Sequence, residues 1–166
     1  MEEKQELSMV GQDEFRRVMS HFATGVTVVA SRDRDGRRVG LTVNAFTSVS
    51  LDPPLVLVCI HKGADAHDPI REAGHFGLSF LRSCQEDVAL RFSVDDSDVR
   101  FRDVETSTGD LGSPLIKGSL AWMECRVRDI HSGGDHSIFL GEVVGCGAEE
   151  GEPLLFFRGS LQGWTP

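Results

Sequence analysis

A long run of alternating residues over positions 39–60 dominates the hydrophobic pattern of the chain. Within it, every second residue belongs to a mostly apolar set, whose members are Leu41, Val43, Ala45, Thr47, Val49 and Leu51. The residues between them form a polar set interrupted by Phe46, namely Thr42, Asn44, Ser48 and Ser50. Because side chains alternate across a strand, this pattern predicts one buried face and one hydrogen-bonding face.

The polar face of this run leaves two interpretations open. Asp52-Pro53-Pro54 ends the strand, because proline removes a donor and restricts the residue before it. Residues 55–60 then form a continuous apolar strand. The alternating stretch is either an ordinary half-exposed strand or the polar floor of a groove for a planar, hydrogen-bonding ligand.

Three short helices are predicted from periodicity and capping signals. The first covers 13–22, where one apolar stripe recurs at helical spacing; its members are Phe15, Val18, Met19 and Phe22. The second begins with Asp68 as its N-cap and ends before Gly74. The third starts at a capping box formed by Ser83 and Glu86.

The remaining elements are short strands separated by turn signals. They are predicted over 25–31, 76–81, 115–130, 137–146 and 154–157, with a polar excursion over 95–113. Many short strands and few helices favour a mainly β (α+β) fold. We therefore expect a closed or split β-barrel with short helices at its edges.

Composition narrows the classes of protein that fit. A chain of 166 residues suits one domain, expected over 11–166 after a loose tail at 1–10. The net charge of −9 argues against a nucleic-acid partner, which needs clustered Lys and Arg. No apolar run is long enough for a membrane span, and the acidic start does not resemble a signal peptide. The four cysteines are widely spaced without a CxxC motif, which favours a reducing cytoplasm.

Candidate chemistry is sparse in the sequence itself. The six histidines include no HxxxH or HxH pair, and the group Cys59, His61, Asp65 and His67 matches no metal-ligand spacing, so no metal site is predicted. Cys59 fits a structural thiol better than a nucleophile, because no orienting group is evident. Residues 133–136 form either a plain glycine turn or a barrel rim that presents His136 to a ligand.

Four stretches of the chain together resemble one protein family. They are residues 22–29 (FATGVTVV), 40–56 (GLTVNAFTSVSLDPPLV), 134–136 (GDH) followed by 139–142 (FLGE), and 153–159 (PLLFFRG). In this order they resemble the short-chain flavin reductases, the reductase components of two-component flavin-dependent monooxygenases.

The resemblance implies a split-barrel homodimer that binds FMN or FAD and oxidises NADH or NADPH. The reduced flavin would pass to a partner monooxygenase. Trp122 is a candidate for the dimer surface, although it fits a satellite core cluster equally well. Two alternatives stay open, namely a non-catalytic electron-carrier barrel that holds FMN and a haem-binding split barrel with a histidine ligand.

The resemblance also implies which residues hold the cofactors. The residues expected near the flavin are Thr42, Val43, Asn44, Ala45, Ser48, Cys59, Ile60, His61, Lys62, His67 and Arg91. Those expected near NAD(P)H are His136, Phe157 and Arg158. No catalytic side chain is expected, because hydride passes directly between the two cofactors.

The chain departs from the family pattern at two places. Ala64 and Ala66 stand where phosphate-binding hydroxyls are usual, and Leu161 stands where an aromatic residue is usual. Each missing hydrogen bond to a charged phosphate costs roughly 1.5–3 kcal/mol if nothing replaces it. Weaker flavin binding at these positions would suit a diffusible substrate, and whether the flavin is tightly bound or diffusible stays open.

Overall fold

The computed structural model describes residues 9–94 and 96–164, so residues 1–8 of the predicted tail lie outside the described part of the chain. The helices are α1 (Gln12–Met19), α2 (His67–Ala73), α3 (Glu86–Val94) and α4 (Ser97–Arg100), with a 3₁₀ turn at Ser83–Gln85. The strands are β1 (Thr24–Gly25), β2 (Thr27–Arg32), β3 (Arg38–Val43), β4 (Phe46–Leu51), β5 (Pro54–His61), β6 (His75–Phe80), β7 (Thr106–Thr108), β8 (Pro114–Ile116), β9 (Ala121–Gly133), β10 (His136–Ala148), β11 (Leu154–Phe157) and β12 (Ser160–Gly163). None of the described helices is long and apolar enough to cross a membrane.

A seven-stranded antiparallel sheet closes on itself through one short link. Its strand order is β3-β2-β6-β9-β10-β5-β4, so β3 and β4 form its two opposite edges. Only Asn44 and Ala45 separate these edges along the chain. Because such a link reaches only about 10 Å, the sheet must curl until its edges meet. The result is a β-barrel split at Asn44–Ala45, and the expected split-barrel fold is confirmed.

Two apolar clusters pack on opposite faces of β2. Val29 belongs to the cluster inside the barrel, together with Val58, Ile60, Phe76, Leu78 and Phe139. Val28 belongs to the second cluster, between the barrel and α3, together with Leu81, Phe92, Phe101 and Leu154. Both faces of β2 are therefore buried, which explains its continuous apolar sequence. A small sheet in the order β1-β11-β12 borders the second cluster.

The expectation of one alternating strand through residue 51 is wrong. The alternation holds through β3 and stops at the split, beyond which Val49 is 49% exposed and Leu51 is 96% exposed. The reason is topological, since β4 pairs only with β5 at the far edge of the sheet. A register shift between Ser48 and Ser50 then changes which face each side chain takes.

Two further boundaries differ from the sequence expectations. The strand predicted over 115–130 is divided into β8 and β9 by a turn in which Gly118 has φ of 72°. The excursion over 95–113 contains α4 and β7, and β7 pairs with β8. Polar composition alone did not reveal these elements, because they are too short to show a period.

The expected helix caps are only partly correct. Gly74 ends α2 in the left-handed conformation with φ of 71°, as predicted. Asp68 is not the N-cap, because α2 begins at His67 and the Asp68 carboxylate accepts a hydrogen bond from the His67 ring. Before α3, the Gln85 side chain accepts from the Arg82 N–H at 3.0 Å, one residue earlier than the predicted capping box.

The apolar stripe of α1 faces solvent. Phe15 is 59% exposed, Phe22 is 68% exposed, and no residue of α1 is buried. An apolar face on a surface helix ordinarily packs against a core. The stripe is therefore a surface that a single copy of this chain does not cover.

A buried carboxylate fastens the loop between β7 and β8. Glu124 is 2% exposed, and its two oxygens accept hydrogen bonds from the N–H groups of Leu111 and Ser113, each at 3.0 Å. Gly109 leaves room for this carboxylate, since an added Cβ would lie 2.4 Å from it. The loop is thereby tied to β9.

Candidate functional site

Two connected cavities open beside the split of the barrel. The first has a volume of about 260 Å³ and is lined by residues that include Thr42, Asn44, Ser93 and Leu161. The second has a volume of about 410 Å³ and also contacts Thr42 and Ser93. The shared residues join both cavities into one groove between β3 and α3. We call it the α3 groove.

A larger cavity lies on the other side of Asn44. Its volume is about 700 Å³, and its walls are mostly apolar, with Phe15, Phe46, Cys59 and Phe156 among them. Because α1 supplies part of one wall, we call it the α1 cavity. A single link residue, Asn44, thus contacts both the α3 groove and the α1 cavity.

The link supplies unused hydrogen-bonding groups. Within the part of the chain that the structure describes, the N–H groups of Asn44 and Ala45 donate to no other main-chain group. The buried hydroxyl of Thr24, on the wall of the α1 cavity, likewise has no partner among the described residues. The unpaired Thr24 hydroxyl is costly because it is buried, whereas the N–H groups of the exposed residues Asn44 and Ala45 are open to water or to a ligand. Together these donors fit a planar ligand with several polar edges.

The Thr42 hydroxyl already forms a hydrogen bond within the protein. It donates to the Ala89 carbonyl at 2.6 Å and so fixes β3 to α3 across the groove. Asn44 is exposed, and no side-chain hydrogen bond restrains it within the described structure. Of the polar residues that the sequence placed on one face, Thr42 and Asn44 line cavities, whereas Ser48 lies farther along β4 beside the register shift.

The far end of the α3 groove carries one arginine that the sequence analysis missed. Arg100 Nη1 donates to the Gly40 carbonyl and to the Asp65 carboxylate, each at 2.8 Å. Gly63 and Ala64 complete this end of the groove. Arg100 lies in the predicted polar excursion, so no motif in the sequence connected it with residues 63–65.

Several residues that were predicted to contact the flavin direct their side chains to other parts of the protein. The Arg91 guanidinium donates to the Arg102 carbonyl. The buried His67 ring donates to Asp68 and accepts from Ser137, each at 2.9 Å, which anchors α2 to β10. The side chains of Val43 and Ile60 lie in the barrel core. Only the main chain of these two residues can contact a ligand in the groove.

Cys59 is a predicted flavin residue whose thiol pKa departs from its ordinary value. Its thiol lies on the wall of the α1 cavity. Burial raises the pKa of Cys59 above its ordinary value, because a low-polarity environment disfavours the thiolate. The residue therefore presents a neutral, weakly polar surface to the cavity, as expected for a structural thiol.

His136 lies at the rim of the barrel, where β5 and β10 meet. The register places it opposite His61, and the two rings are nearly perpendicular with centroids 5.2 Å apart. His136 Nδ1 donates to the Asp135 carboxylate at 2.7 Å. This hydrogen bond is the main cause of the lowered pKa of Asp135. The turn therefore holds an oriented imidazole.

Phe157 is the last residue of β11, and Arg158 begins the turn to β12. Arg158 has a positive φ of 51°, and its guanidinium lies 5.2 Å from the centre of the Phe157 ring. The adjacent residues Phe156 and Gly159 line both the α3 groove and the α1 cavity. The turn is thus placed at the junction of the two cavities.

Comparison of the sequence with models of known protein families identifies the family of this chain. Residues 19–165 match the model described as "Flavin reductase like domain". The chain belongs to the flavin reductase family. The match covers the split, the α3 groove and the turn that presents His136, and the expectation of a flavin-reducing enzyme is confirmed.

Individual flavin reductases are similar over most of their length. An NADH-dependent FMN reductase of Agrobacterium fabrum is 41% identical over 147 residues, which covers 89% of this chain and 83% of that protein. The reductase subunit of a flavin-dependent monooxygenase from Mycobacterium tuberculosis is 38% identical, covering 92% of this chain and 82% of its own. The solved NADH:FAD oxidoreductase of Streptomyces globisporus superposes with a TM-score of 0.87 at 38% identity, covering 96% and 99% of the two chains.

The two alanine departures from the flavin reductase pattern have different consequences. Ala66 is completely buried, so a hydroxyl there would face the core instead of the groove. Ala64 lines the groove, and a hydroxyl there would face a ligand. Leu161 lines the opposite end and packs against the second core cluster. Of the three departures, Ala64 is the one that removes a polar contact from the groove.

Proposed function

We propose that this protein is an NAD(P)H:flavin oxidoreductase that binds FMN or FAD at the barrel split and delivers the reduced flavin to a flavin-dependent monooxygenase. The observation that carries the proposal is the link at Asn44–Ala45. Its main-chain N–H groups and the nearby Thr24 hydroxyl lie beside apolar walls, and among the described residues they have no main-chain partner and no partner, respectively. An isoalloxazine ring has the planar shape and polar edges that such a site would bind.

The proposed chemistry requires neither a catalytic triad nor a metal ion. When bound, the nicotinamide supplies a hydride and the flavin accepts it, so the protein needs only to orient the two rings. The described residues contain no group of three metal-ligating side chains that could hold an ion. Apolar walls formed by Phe46 and Phe156 would exclude water from the ring faces.

Each cofactor has a proposed position. The main chain of residues 42–45 would hold the flavin ring, and the α3 groove towards Ala64 and Arg100 would hold its ribityl phosphate. His136 and the β11–β12 turn would hold the nicotinamide. One related structure, the Streptomyces oxidoreductase, holds NAD and FAD fragments, which supports a site for both cofactors in one barrel.

The flavin is proposed to be a diffusible substrate. Asp65 places a carboxylate beside Arg100 at the end where a phosphate would lie, and Ala64 offers no hydroxyl there. A flavin phosphate therefore gains less at this site than at one with free cations and hydroxyls. Weak binding suits an enzyme whose product must reach a second protein.

The working form is proposed to be a homodimer in the cytoplasm. The uncovered stripe of α1 and the apolar walls of the adjoining α1 cavity form a continuous surface that a second copy would bury. All four cysteines are free, as expected for a protein of a reducing compartment.

Aerobic oxidation of NADH and of NADPH, with FMN, with FAD and without flavin, tests this function. We expect turnover that depends on added flavin and that identifies the preferred pair. Absence of turnover with every combination, together with a persistent yellow colour of the folded protein, would instead indicate a non-catalytic flavin carrier. A Soret band in the purified protein would indicate a haem protein.

A further inference from the structure

Lys62 is tied to the turn that presents His136. Its ammonium group donates to Ser132 Oγ at 2.9 Å and to the Gly134 carbonyl at 2.6 Å. Its main-chain N–H donates to the Asp135 carbonyl at 2.9 Å. One residue at the end of β5 therefore holds three residues of the turn between β9 and β10. We call residues 132–136 the histidine turn.

Strand pairing fixes the two ends of the histidine turn, where His136 pairs with Gly133 and with His61, and leaves its tip at Gly134 and Asp135 outside the sheet. Gly134 takes a positive φ of 73°, and Gly133, Gly134 and Asp135 are exposed. Glycines give the unfolded and loosened states of a turn more conformational freedom than other residues do. The contacts from Lys62 to Gly134 and Asp135 therefore restrain the tip of the turn, which the strand pairing does not reach.

The orientation of His136 depends on this geometry. Asp135 accepts the proton of His136 Nδ1, so Nε2 is the nitrogen left to face a ligand. His61 packs against the His136 ring, and its own Nδ1 accepts the N–H of Gly63 at 3.0 Å. Residues 61–63 and the histidine turn thus form one hydrogen-bonded unit around the imidazole.

The same contacts direct the Lys62 ammonium away from the α3 groove. Gly63, Ala64 and Asp65 line the groove, whereas Lys62 does not. An ammonium that serves two acceptors of the histidine turn has one remaining donor. The phosphate end of the groove has Arg100 as its cation instead.

We propose that Lys62 is a positioning residue for the nicotinamide, which fixes the histidine turn and does not bind the flavin phosphate. This inference rests on the proposed function, because it needs His136 to contact NAD(P)H. It predicts that loss of the Lys62 ammonium affects the nicotinamide substrate and spares the flavin.

The test compares Lys62→Met with Lys117→Met. Lys117 is an exposed lysine paired with Glu105 at 3.4 Å, so the control removes the same charge elsewhere. For Lys62→Met we expect the KM for the nicotinamide to rise by about tenfold, with kcat changed less. The Kd values of FMN and of riboflavin should both stay close to those of the wild type, and Lys62→Arg, which keeps the donors, should restore most of the KM.

Riboflavin lacks the phosphate, which makes the comparison decisive. If Lys62→Met abolished a preference for FMN over riboflavin, Lys62 would be a phosphate ligand and the inference would be wrong. An unchanged nicotinamide KM in the Lys62→Met variant would also overturn it. Failure of the wild type to oxidise NAD(P)H with any flavin would instead contradict the proposed function.

Discussion

Asn44 is the residue where the barrel closure and the cofactor site coincide. It links the two edges of the sheet and lines both the α3 groove and the α1 cavity. Its exposed side chain makes no contact that the fold requires. A change here should therefore affect the ligand far more than the stability of the barrel.

We predict that Asn44→Phe weakens flavin binding by at least about tenfold, which corresponds to ~1.4 kcal/mol. The added ring would occupy the space beside the unpaired donors of the link. Flavin titration measures the effect, and circular dichroism should show an unchanged fold. Val49→Phe, on exposed β4 outside the cavities described above, is the matched control. Loss of the folded state in Asn44→Phe alone would show that Asn44 has a core role instead.

The sequence pattern predicted the positions of some residues of the candidate site and not of others. Thr42 and Asn44 followed from strand alternation, because their neighbours along the strand fix the face they take. Lys62 and Arg91 are long side chains whose donors found partners on distant segments. Arg100 reaches the groove from a segment that looked like plain loop. Sequence spacing does not determine such long-range contacts, so these roles required coordinates.

Among the structural elements, the β7–β8 loop depends on Glu124. Its carboxylate satisfies two main-chain donors that would otherwise be buried without partners. We predict that Glu124→Gln lowers the free energy of unfolding by about 1–3 kcal/mol, because its amide nitrogen would face an N–H group. Urea unfolding measures this. Glu105→Gln, on an exposed side chain, should change little; equal losses in both variants would contradict a specific role of the buried carboxylate.

His75 gives the same region a pH dependence. Burial lowers the pKa of His75 because it disfavours the imidazolium, although the Glu124 charge acts in the opposite direction. His75 Nδ1 lies 2.7 Å from Ser113 Oγ. In the unfolded chain His75 takes up a proton near its ordinary pKa of about 6.5, whereas in the folded chain it does so only at lower pH. Between these two pKa values the unfolded state binds more protons than the folded state does. The free energy of unfolding therefore falls as the pH falls through this range.

We predict that part of the stability loss between pH 7.5 and 5.5 disappears in His75→Asn. Asparagine keeps a polar group near Ser113 and does not titrate. Chemical unfolding of both proteins at several pH values measures the difference in slope. Identical slopes would show that His75 does not contribute to the pH dependence.

The elements themselves were largely predictable, and their connections were not. Apolar periodicity located α1 and most strands of the barrel, because burial imposes a period of 3.6 or 2. The break at Asn44–Ala45 was missed, since β3 and β4 together read as one alternating strand. The burial of Glu124 was also missed, because it shares a face with Arg126 and Arg128 on the sequence pattern. Only tertiary contacts distinguish it from them.

At the scale of the whole molecule, the uncovered α1 stripe predicts a dimer. Val18 is 55% exposed in a single copy. We predict that Val18→Glu converts a dimer into a folded monomer, because a carboxylate cannot be buried unpaired in an apolar interface. Analytical ultracentrifugation measures the mass. Val144→Glu, which places the same charge at an exposed position of β10, is the control; dissociation by that variant alone would place the interface on β10.

In the proposed reaction, flavin held at the Asn44–Ala45 split accepts hydride directly from a nicotinamide. Anaerobic stopped-flow mixing of the protein–flavin complex with NADH tests it most directly, with flavin absorbance as the readout. We predict that flavin colour is lost at a rate that saturates with NADH and slows when the transferred hydrogen is deuterium. Flavin that stays bound and oxidised in the folded protein, with NADH and NADPH alike, would contradict the claim.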